Sequence, residues 1–405
     1  MHDFSPRLGI SKAHACDGGP VPCRWRRRRF LQSVGWGAGV LLSAQCSWPA
    51  FSQEHKGSPL TTRQEDPYNA EPSLEELVKD WITPVDRFFV RSHAAVPEVD
   101  AATYHLRIEG LVEKPMECSL KELSQKFQAK ETVATLTCAG NRRAEFKGGN
   151  ISGVQWQAAA IGNARWKGVS LAEVLRAVGV KADAKHVWFE GADQVSQKGE
   201  TFGFGGSVPL ERILLNSQSD GDVLLATSMN GQPLTAAHGA PLRAVVPGFI
   251  GARSVKWLNR IVVSDKPSPN HFLAHAYKVI SEDTIAAHEA VEPIYQFVLN
   301  SASVVTEKEN GKWSVRGYAL PSGKPNARIK KVELSLDDGK TWQSAKLENP
   351  GADFCWQLWS AELPMNSGTK KILVRAEDST GEKQPREMPW NAKGYQYNGW
   401  HAVML

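Results

Sequence analysis

Residues 135–146 read TLTCAGNRRAEF. An apolar, strand-like run delivers one thiol, Cys138, to a Gly-Asn turn, and Arg142 and Arg143 follow at once. Guanidinium groups beside a thiol favour the thiolate, the form that ligates soft metals and attacks electrophiles. A buried structural cysteine with surface arginines beyond it is the simpler reading of the same letters. No CxxC, CxxCH or HExxH is present, so bound zinc, covalent c-type haem and zincin chemistry find no local support.

The elements around this motif, over 69–288, read as a mixed domain. Tyr104-His105-Leu106-Arg107-Ile108-Glu109 alternates apolar and polar positions before Gly110, as a strand does. Residues 186–190 and 261–263 are further strand candidates. Residues 170–178, SLAEVLRAV, carry apolar positions at helical spacing, with Ser170 as N-cap and Gly179 as the stop. Strands and helices do not alternate regularly, so the class is α+β and not a doubly wound sheet. Over 289–405 the character changes. Val332, Leu334 and Leu336 alternate with polar residues before Asp338-Gly339, a hairpin signal, and Trp342 lies on the return. Ile372, Val374 and Ala376 alternate again. Short strands at this spacing predict an immunoglobulin-like sandwich.

The chain has 405 residues, enough for two domains, and 41% hydrophobic residues, enough for a sizeable core. No run of 18 apolar residues exists, which excludes a multi-span membrane protein. The net charge of +5 is unevenly placed. Residues 24–29 read RWRRRR, followed by Phe30-Leu31-Gln32 and a mildly apolar stretch over 33–44. A basic segment, a short apolar segment and a small-residue exit predict an export signal over 1–52. Arg27-Arg28-Arg29-Phe30-Leu31-Gln32 resembles the twin-arginine pattern, so the export machinery of folded proteins is the expected partner and the periplasm the expected compartment. A nucleic-acid-binding arm is the competing reading, but no apolar segment normally follows such an arm. Residues 1–52 carry seven basic and two acidic residues, leaving 41 of each sign in the rest. The positive excess thus gives no reason to expect a nucleic-acid partner. Residues 53–68 are polar and aperiodic and read as an N-terminal tail. Cys118, Cys138 and Cys355 remain beyond the leader, an odd number that cannot all pair.

Four strings, in one order, carry a resemblance. TCAGNRR, Phe89-Val90-Arg91-Ser92-His93, the run from His238-Gly239-Ala240-Pro241-Leu242-Arg243 through Ser254-Val255-Lys256-Trp257, and Asn398-Gly399-Trp400-His401 are similar to motifs of the sulfite oxidase family of molybdenum enzymes. The match covers nearly all of 70–405. It implies that Cys138 is the protein's ligand to molybdenum, the rest of the metal being held by molybdopterin. It implies cofactor contacts from Phe89, Val90, Arg91, Ser92, His93, Asp193, His238, Arg243, Ser254, Val255 and Lys256. The oxyanion-binding and catalytic positions it implies are Arg91, Arg143, Tyr277 and the pocket-wall Trp156. Arginine suits such positions because its planar fork matches an oxyanion.

The same resemblance implies oxidation of sulfite to sulfate and a homodimer formed through the C-terminal domain. No segment here resembles a haem or flavin domain, so the expected electron acceptor is separate, a c-type cytochrome. Sulfane-sulfur oxidation, reduction of nitrate or a sulfoxide, and a non-catalytic scaffold are the competing readings. One departure stands out: animal members bring a further arginine from the C-terminal domain, and the matched stretch here, 351–359, has Ala352 near that point and no arginine.

Overall fold

Alternating apolar residues build two five-stranded sheets in the first domain of the computed structural model. The structure describes residues 59–405 except 150, 198, 216–220, 309–310 and 366–367. The export signal over 1–52 and residues 53–58 of the tail lie outside the described residues.

One sheet runs Gly205–Pro209, His186–Gly191, Leu258–Ser264, His105–Gly110, Met116–Ser119. Only its pairing of Leu258–Ser264 with His105–Gly110 is parallel. The other runs Gln232–Pro233, Leu224–Met229, Ile161–Ser170, Ala129–Thr137, and Arg243–Val245 also pairs with Leu224–Met229. The helix Leu171–Val178 buries Leu171, Ala172, Val174, Leu175 and Val178, and Gly179 ends it at a positive φ of 69°. Ser170 sits at the N-cap as expected, but its hydroxyl donates to Asp222 at 3.0 Å and does not cap the helix. The mixed class read from the sequence holds.

The C-terminal domain is a sandwich of two four-stranded sheets. Asn300–Lys308, Lys312–Leu320, Gln357–Pro364 and Lys346–Leu347 form one; Gln343–Ser344, Ile329–Ser335, Lys371–Asp378 and His401–Met404 form the other. Val332, Leu334, Ile372 and Val374, the inward positions of the alternating runs, meet Trp359 and Leu363 in its core. Asp338 and Gly339 take φ of 61° and 86°, two left-handed residues in a row within the connection that joins Ile329–Ser335 to its antiparallel neighbour Gln343–Ser344.

The described part of the 53–68 segment departs from an aperiodic tail. Leu60–Gln64 is a strand, antiparallel to Asn69–Pro72. The reason is tertiary. Glu71 is fully buried, accepts from Arg63 Nε at 2.6 Å, and accepts the backbone N–H groups of Gln157 and Ala159 at 2.7 and 3.0 Å. A buried carboxylate needs such partners, and they tie the hairpin to the loop just after Trp156. Among the described residues no helix is long and apolar enough to cross a membrane.

Candidate active site

The strand Ala129–Thr137 ends at the thiol. Cys138 N–H donates to Ala160 O at 2.9 Å, the Asn141 N–H closes the turn onto Cys138 O at 3.0 Å, and the Gly140 N–H points at Sγ at 3.4 Å. Cys138 is 7% exposed and opens onto a cleft. Stretches far apart in sequence converge there. Of the residues the resemblance pointed to, Phe89, Arg91, Ser92, His93, Cys138, Asp193, His238, Arg243, Ser254, Lys256 and Tyr277 line it.

The others do not. Val90 and Val255 are buried and serve through their backbones, Val90 exchanging two hydrogen bonds with Ala70 and Val255 accepting from Ala244. Trp156 stands edge-on behind Phe89, with ring centroids 6.5 Å apart, and its buried Nε1–H has no partner. Arg143 lies beside Gly140, where an added Cβ would come within 2.7 Å of the guanidinium. Its Nη1 donates to Val154 O at 2.8 Å and its Nε to Gly394 O at 3.2 Å.

The cleft is cationic and short of acceptors. Arg91, Arg243 and Lys256 line it against a single carboxylate, Asp193. Burial, with Arg243 and Arg91 nearby, pushes Lys256 well below the usual lysine range, although it donates to Ser92 Oγ at 3.0 Å and Ala237 O at 2.9 Å. Burial pulls Arg243 down to about 9; its fork donates to the His238 and Ser254 carbonyls, both at 2.9 Å. Burial raises the Asp193 carboxyl, which accepts from Phe204 N–H at 3.1 Å. Cations held off their ordinary ionisation by burial are stabilised when an anion enters beside them.

His238 adds an unmade bond. Its Nδ1 pairs with Thr235 Oγ1 at 2.8 Å, while Nε2 is buried with no partner. Burial, reinforced by Lys256 and Arg243, lowers its pKa to about 3, so the ring is neutral in the folded protein. Unfolded, it takes a proton below its ordinary value of 6.5. Its contribution to stability is therefore full above pH 6.5 and is lost as pH falls towards 3. At pH 5 the cofactor-free protein should have lost about 2 kcal/mol on this account. Urea melts at pH 7 and pH 5 should show that loss, and His238→Gln should flatten the slope. An unchanged slope in the variant would contradict it.

His93 and Tyr277 form a second pair, Nε2 to phenol oxygen at 2.9 Å. Burial, then Arg91, Lys256 and His271, holds His93 well below its usual range, and burial pushes the Tyr277 phenol up. Both are neutral. His93 stacks on Phe204, with centroids 4.4 Å apart and rings 22° from parallel, a contact no sequence motif announced.

Three features went unread in the sequence. Asn69 braces the Arg91 loop, its Oδ1 accepting from Ser92 N–H at 2.9 Å and from Arg91 Nη1 at 3.2 Å. Arg253, buried within a quoted motif, donates to Ile294 O and Phe272 O and lies 5.6 Å over the Tyr277 ring. The third is where the C-terminal domain docks. The stretch 351–359 does not meet the cleft; it docks on Ala129–Thr137, where Phe354 O accepts from Thr135 N–H at 3.1 Å and Trp356 N–H donates to Thr135 Oγ1 at 2.9 Å. The C-terminal domain approaches the site through 391–397 instead, where Tyr395 stacks on Tyr277.

Cys118 and Cys355 are buried thiols that form no disulfide. Burial raises Cys118, and Cys355 Sγ–H donates to Val133 O at 3.2 Å, so both sit as packing residues. Among the described residues no cluster of three or more His, Cys, Asp or Glu could hold a metal. A metal at Cys138 would take most of its ligands from a non-protein group.

Comparison with known proteins fits this geometry. Residues 93–272 match the oxidoreductase molybdopterin binding domain and 291–405 the Mo-co oxidoreductase dimerisation domain. The chain is 37% identical to sulfite oxidase of Gallus gallus over 378 residues, 88% of this chain and 80% of that protein. It is 36% identical to sulfite oxidase of Arabidopsis thaliana over 389 residues, 88% of this chain and 96% of that protein. Longer relatives extend beyond it: it spans 65% of the Drosophila melanogaster mitochondrial sulfite oxidase and 41% of an NAD(P)H nitrate reductase of Hordeum vulgare, at 36% identity in each, over 88% and 84% of this chain. In structure it is similar to the sulfane dehydrogenase SoxCD of Paracoccus pantotrophus, with a TM-score of 0.73 at 26% identity, covering 91% of this chain and 92% of that one.

The chain is a molybdopterin-dependent oxidoreductase. It belongs to the sulfite oxidase family, and its cofactor is molybdenum held by molybdopterin. The residues fit that cofactor: a soft sulfur for a soft metal, a surplus of buried cations for a phosphate, and an orphaned His238 Nε2 for a further polar atom.

Proposed function

We propose that this protein is a sulfite dehydrogenase, in which sulfite and water give sulfate, two protons and two electrons. Cys138 Sγ ligates the molybdenum, while His238, Arg243, Ser254 and Lys256 hold the pterin phosphate end and Asp193 meets the pterin. The metal, when bound, supplies the two-electron redox chemistry. The chain's own residues supply charge and orientation. Arg91 and Arg143 attract and align the sulfite dianion, and Tyr277, kept protonated by burial, offers its O–H to an oxyanion oxygen or to His93 Nε2. The neutral His93 holds the phenol oxygen in place through this 2.9 Å contact, and when its Nε2 carries the ring proton the phenol O–H is left for the oxyanion.

The observation that carries this reading is the concentration of Arg91, Arg243 and Lys256 against one carboxylate around the Cys138 cleft. The sulfite oxidases among the relatives favour sulfite over other small anions. Two sulfur and nitrogen chemistries compete, because the family also includes a nitrate reductase and a structural neighbour is a sulfane dehydrogenase. Electrons pass to an external acceptor, a c-type cytochrome. The chain works in the periplasm after twin-arginine export and pairs as a homodimer, a reading supported by the match of 291–405 to a dimerisation domain.

Steady-state assays on molybdenum-replete protein test the reaction, with sulfite or thiosulfate as electron donor to ferricyanide or cytochrome c, and with nitrate as acceptor from reduced methyl viologen. Sulfite alone should drive reduction of both acceptors. Thiosulfate turnover without sulfite turnover would reject the reading in favour of sulfane chemistry. Changing Arg27 and Arg28 to Lys should leave the protein in the cytoplasmic fraction, and export unaffected by that change would reject the twin-arginine route.

A further inference from the structure

The C-terminal domain sends one strap of chain, 391–397, onto the loop that carries Cys138. Gln396 N–H donates to Ala139 O at 2.7 Å, one residue from the thiol. Gly394 O accepts from Arg143 Nε at 3.2 Å. Between them Tyr395 lays its ring on two functional groups at once. It stacks on Tyr277 with centroids 5.1 Å apart and rings 23° from parallel, and the Arg143 guanidinium carbon lies 5.0 Å from its centroid.

The strap is held in that pose by its own contacts. The Asn391 side chain brackets Tyr395, Nδ2 donating to Tyr395 O at 3.0 Å and Oδ1 accepting from Tyr395 N–H at 3.1 Å. Ala392 N–H donates to Ile280 O at 2.9 Å, and Lys393 Nζ pairs with Asp283 at 2.8 Å. A tyrosine that merely filled the domain seam would be buried among aliphatic side chains. Tyr395 is only half-buried, and its ring lies against both an arginine and a tyrosine beside the thiol.

We infer that Tyr395 is a positioning residue through which the C-terminal domain takes part in oxyanion recognition, by fixing the planes of Arg143 and Tyr277. The inference rests on the reading of those two residues as oxyanion-binding groups. Two of the Arg143 donors are already committed to carbonyl oxygens, so the third, Nη2, can reach an anion only if the plane of the fork is held. Carbonyl contacts along one edge leave the plane free to tilt, and an aromatic face beneath it removes that freedom. The same ring, stacked on Tyr277, opposes rotation of that phenol about its Cβ–Cγ bond.

The test compares Tyr395→Ala with Tyr395→Phe in molybdenum-replete protein. It uses calorimetric titration with sulfate, which needs no turnover, beside the sulfite assay. Tyr395→Ala should weaken sulfate binding about tenfold and raise KM for sulfite by a like factor, with kcat within about threefold. Tyr395→Phe, which keeps the flat face, should stay within about twofold of wild type on all three readings. If Tyr395→Ala does not fold, Tyr395→Met keeps the volume without the face and is read in its place. Wild-type affinity in the Ala or Met variant overturns the inference, as does a Phe variant as weak as the Ala variant. Wild-type protein that binds no sulfate overturns it too. Wild-type protein that binds sulfate but does not oxidise sulfite faults the proposed reaction, while the variant comparison still decides the role of Tyr395.

Discussion

Replacing Cys138 by serine should abolish sulfite oxidation while leaving the fold intact. The side chain is 7% exposed and its sulfur has one weak protein contact, the Gly140 N–H at 3.4 Å. An isosteric hydroxyl keeps that contact, so stability should change by no more than about 1 kcal/mol. The chemistry cannot survive so easily. A neutral hydroxyl is a hard, poorly ionised substitute for a thiolate on a soft metal. Altering groups that merely support a metal ligand costs about 10–100-fold, so losing the ligand itself should cost more than about 100-fold in kcat/KM. Pterin content should persist, because His238, Arg243 and Lys256 are untouched. Assay of kcat/KM beside pterin and molybdenum analysis checks both halves, and a variant with a tenth of wild-type activity would contradict the role given to Cys138.

Arg142→Ala should be the most destabilising single change near the site. Arg142 is completely buried at a positive φ of 66°, next to the residue proposed to meet substrate. It donates to both Glu145 oxygens at 2.8 and 2.6 Å, and to Asn300 Oδ1, Ser301 O and Gly399 O at 2.9 to 3.0 Å. One guanidinium thus ties the Cys138 loop to two strands' worth of C-terminal domain, with Tyr397 beneath it at 4.9 Å. Removal leaves Glu145 without its counter-charge and takes a donor from Asn300 Oδ1 and Ser301 O, while Gly399 O keeps Gln384 Nε2 at 3.3 Å. Breaking a buried pair in this way costs about 3–5 kcal/mol, and the thermal midpoint should fall on the order of 10 °C. Arg142→Met combined with Glu145→Gln should recover part of the loss, since neither charge is then stranded. A fall below about 2 °C in the single variant would show that the domain seam does not depend on this residue.

These two neighbours also show what the sequence could and could not convey. Cys138 was legible because its string is distinctive, and the hairpin at Asp338-Gly339 because two left-handed residues in a row have one common use. The helix Leu171–Val178 was legible because its apolar spacing and glycine stop are local. Arg142 and Arg143 look alike in the letters and differ wholly in the fold: one is a clamp between domains, and the other lies against Gly140 with one donor uncommitted. The strand Leu60–Gln64 escaped notice because it depends on Glu71 finding two backbone N–H groups more than 80 residues away. The approach of the C-terminal domain through 391–397 was illegible for the same reason. Trp356 and Trp81 exchange indole-to-carbonyl bonds at 2.9 and 3.1 Å and draw 351–359 onto a strand, leaving 391–397 to meet Tyr277. No periodicity encodes such docking.

The central claim is that a cofactor seated at Cys138 converts sulfite to sulfate. Its most direct test is anaerobic mixing of molybdenum-replete protein with limiting sulfite and excess ferricyanide, followed by ion chromatography. The account predicts one sulfate formed per sulfite consumed and two ferricyanides reduced, with none formed by the Cys138→Ser protein. Ferricyanide left oxidised and sulfite recovered unchanged, from protein carrying its full complement of molybdenum, would contradict it.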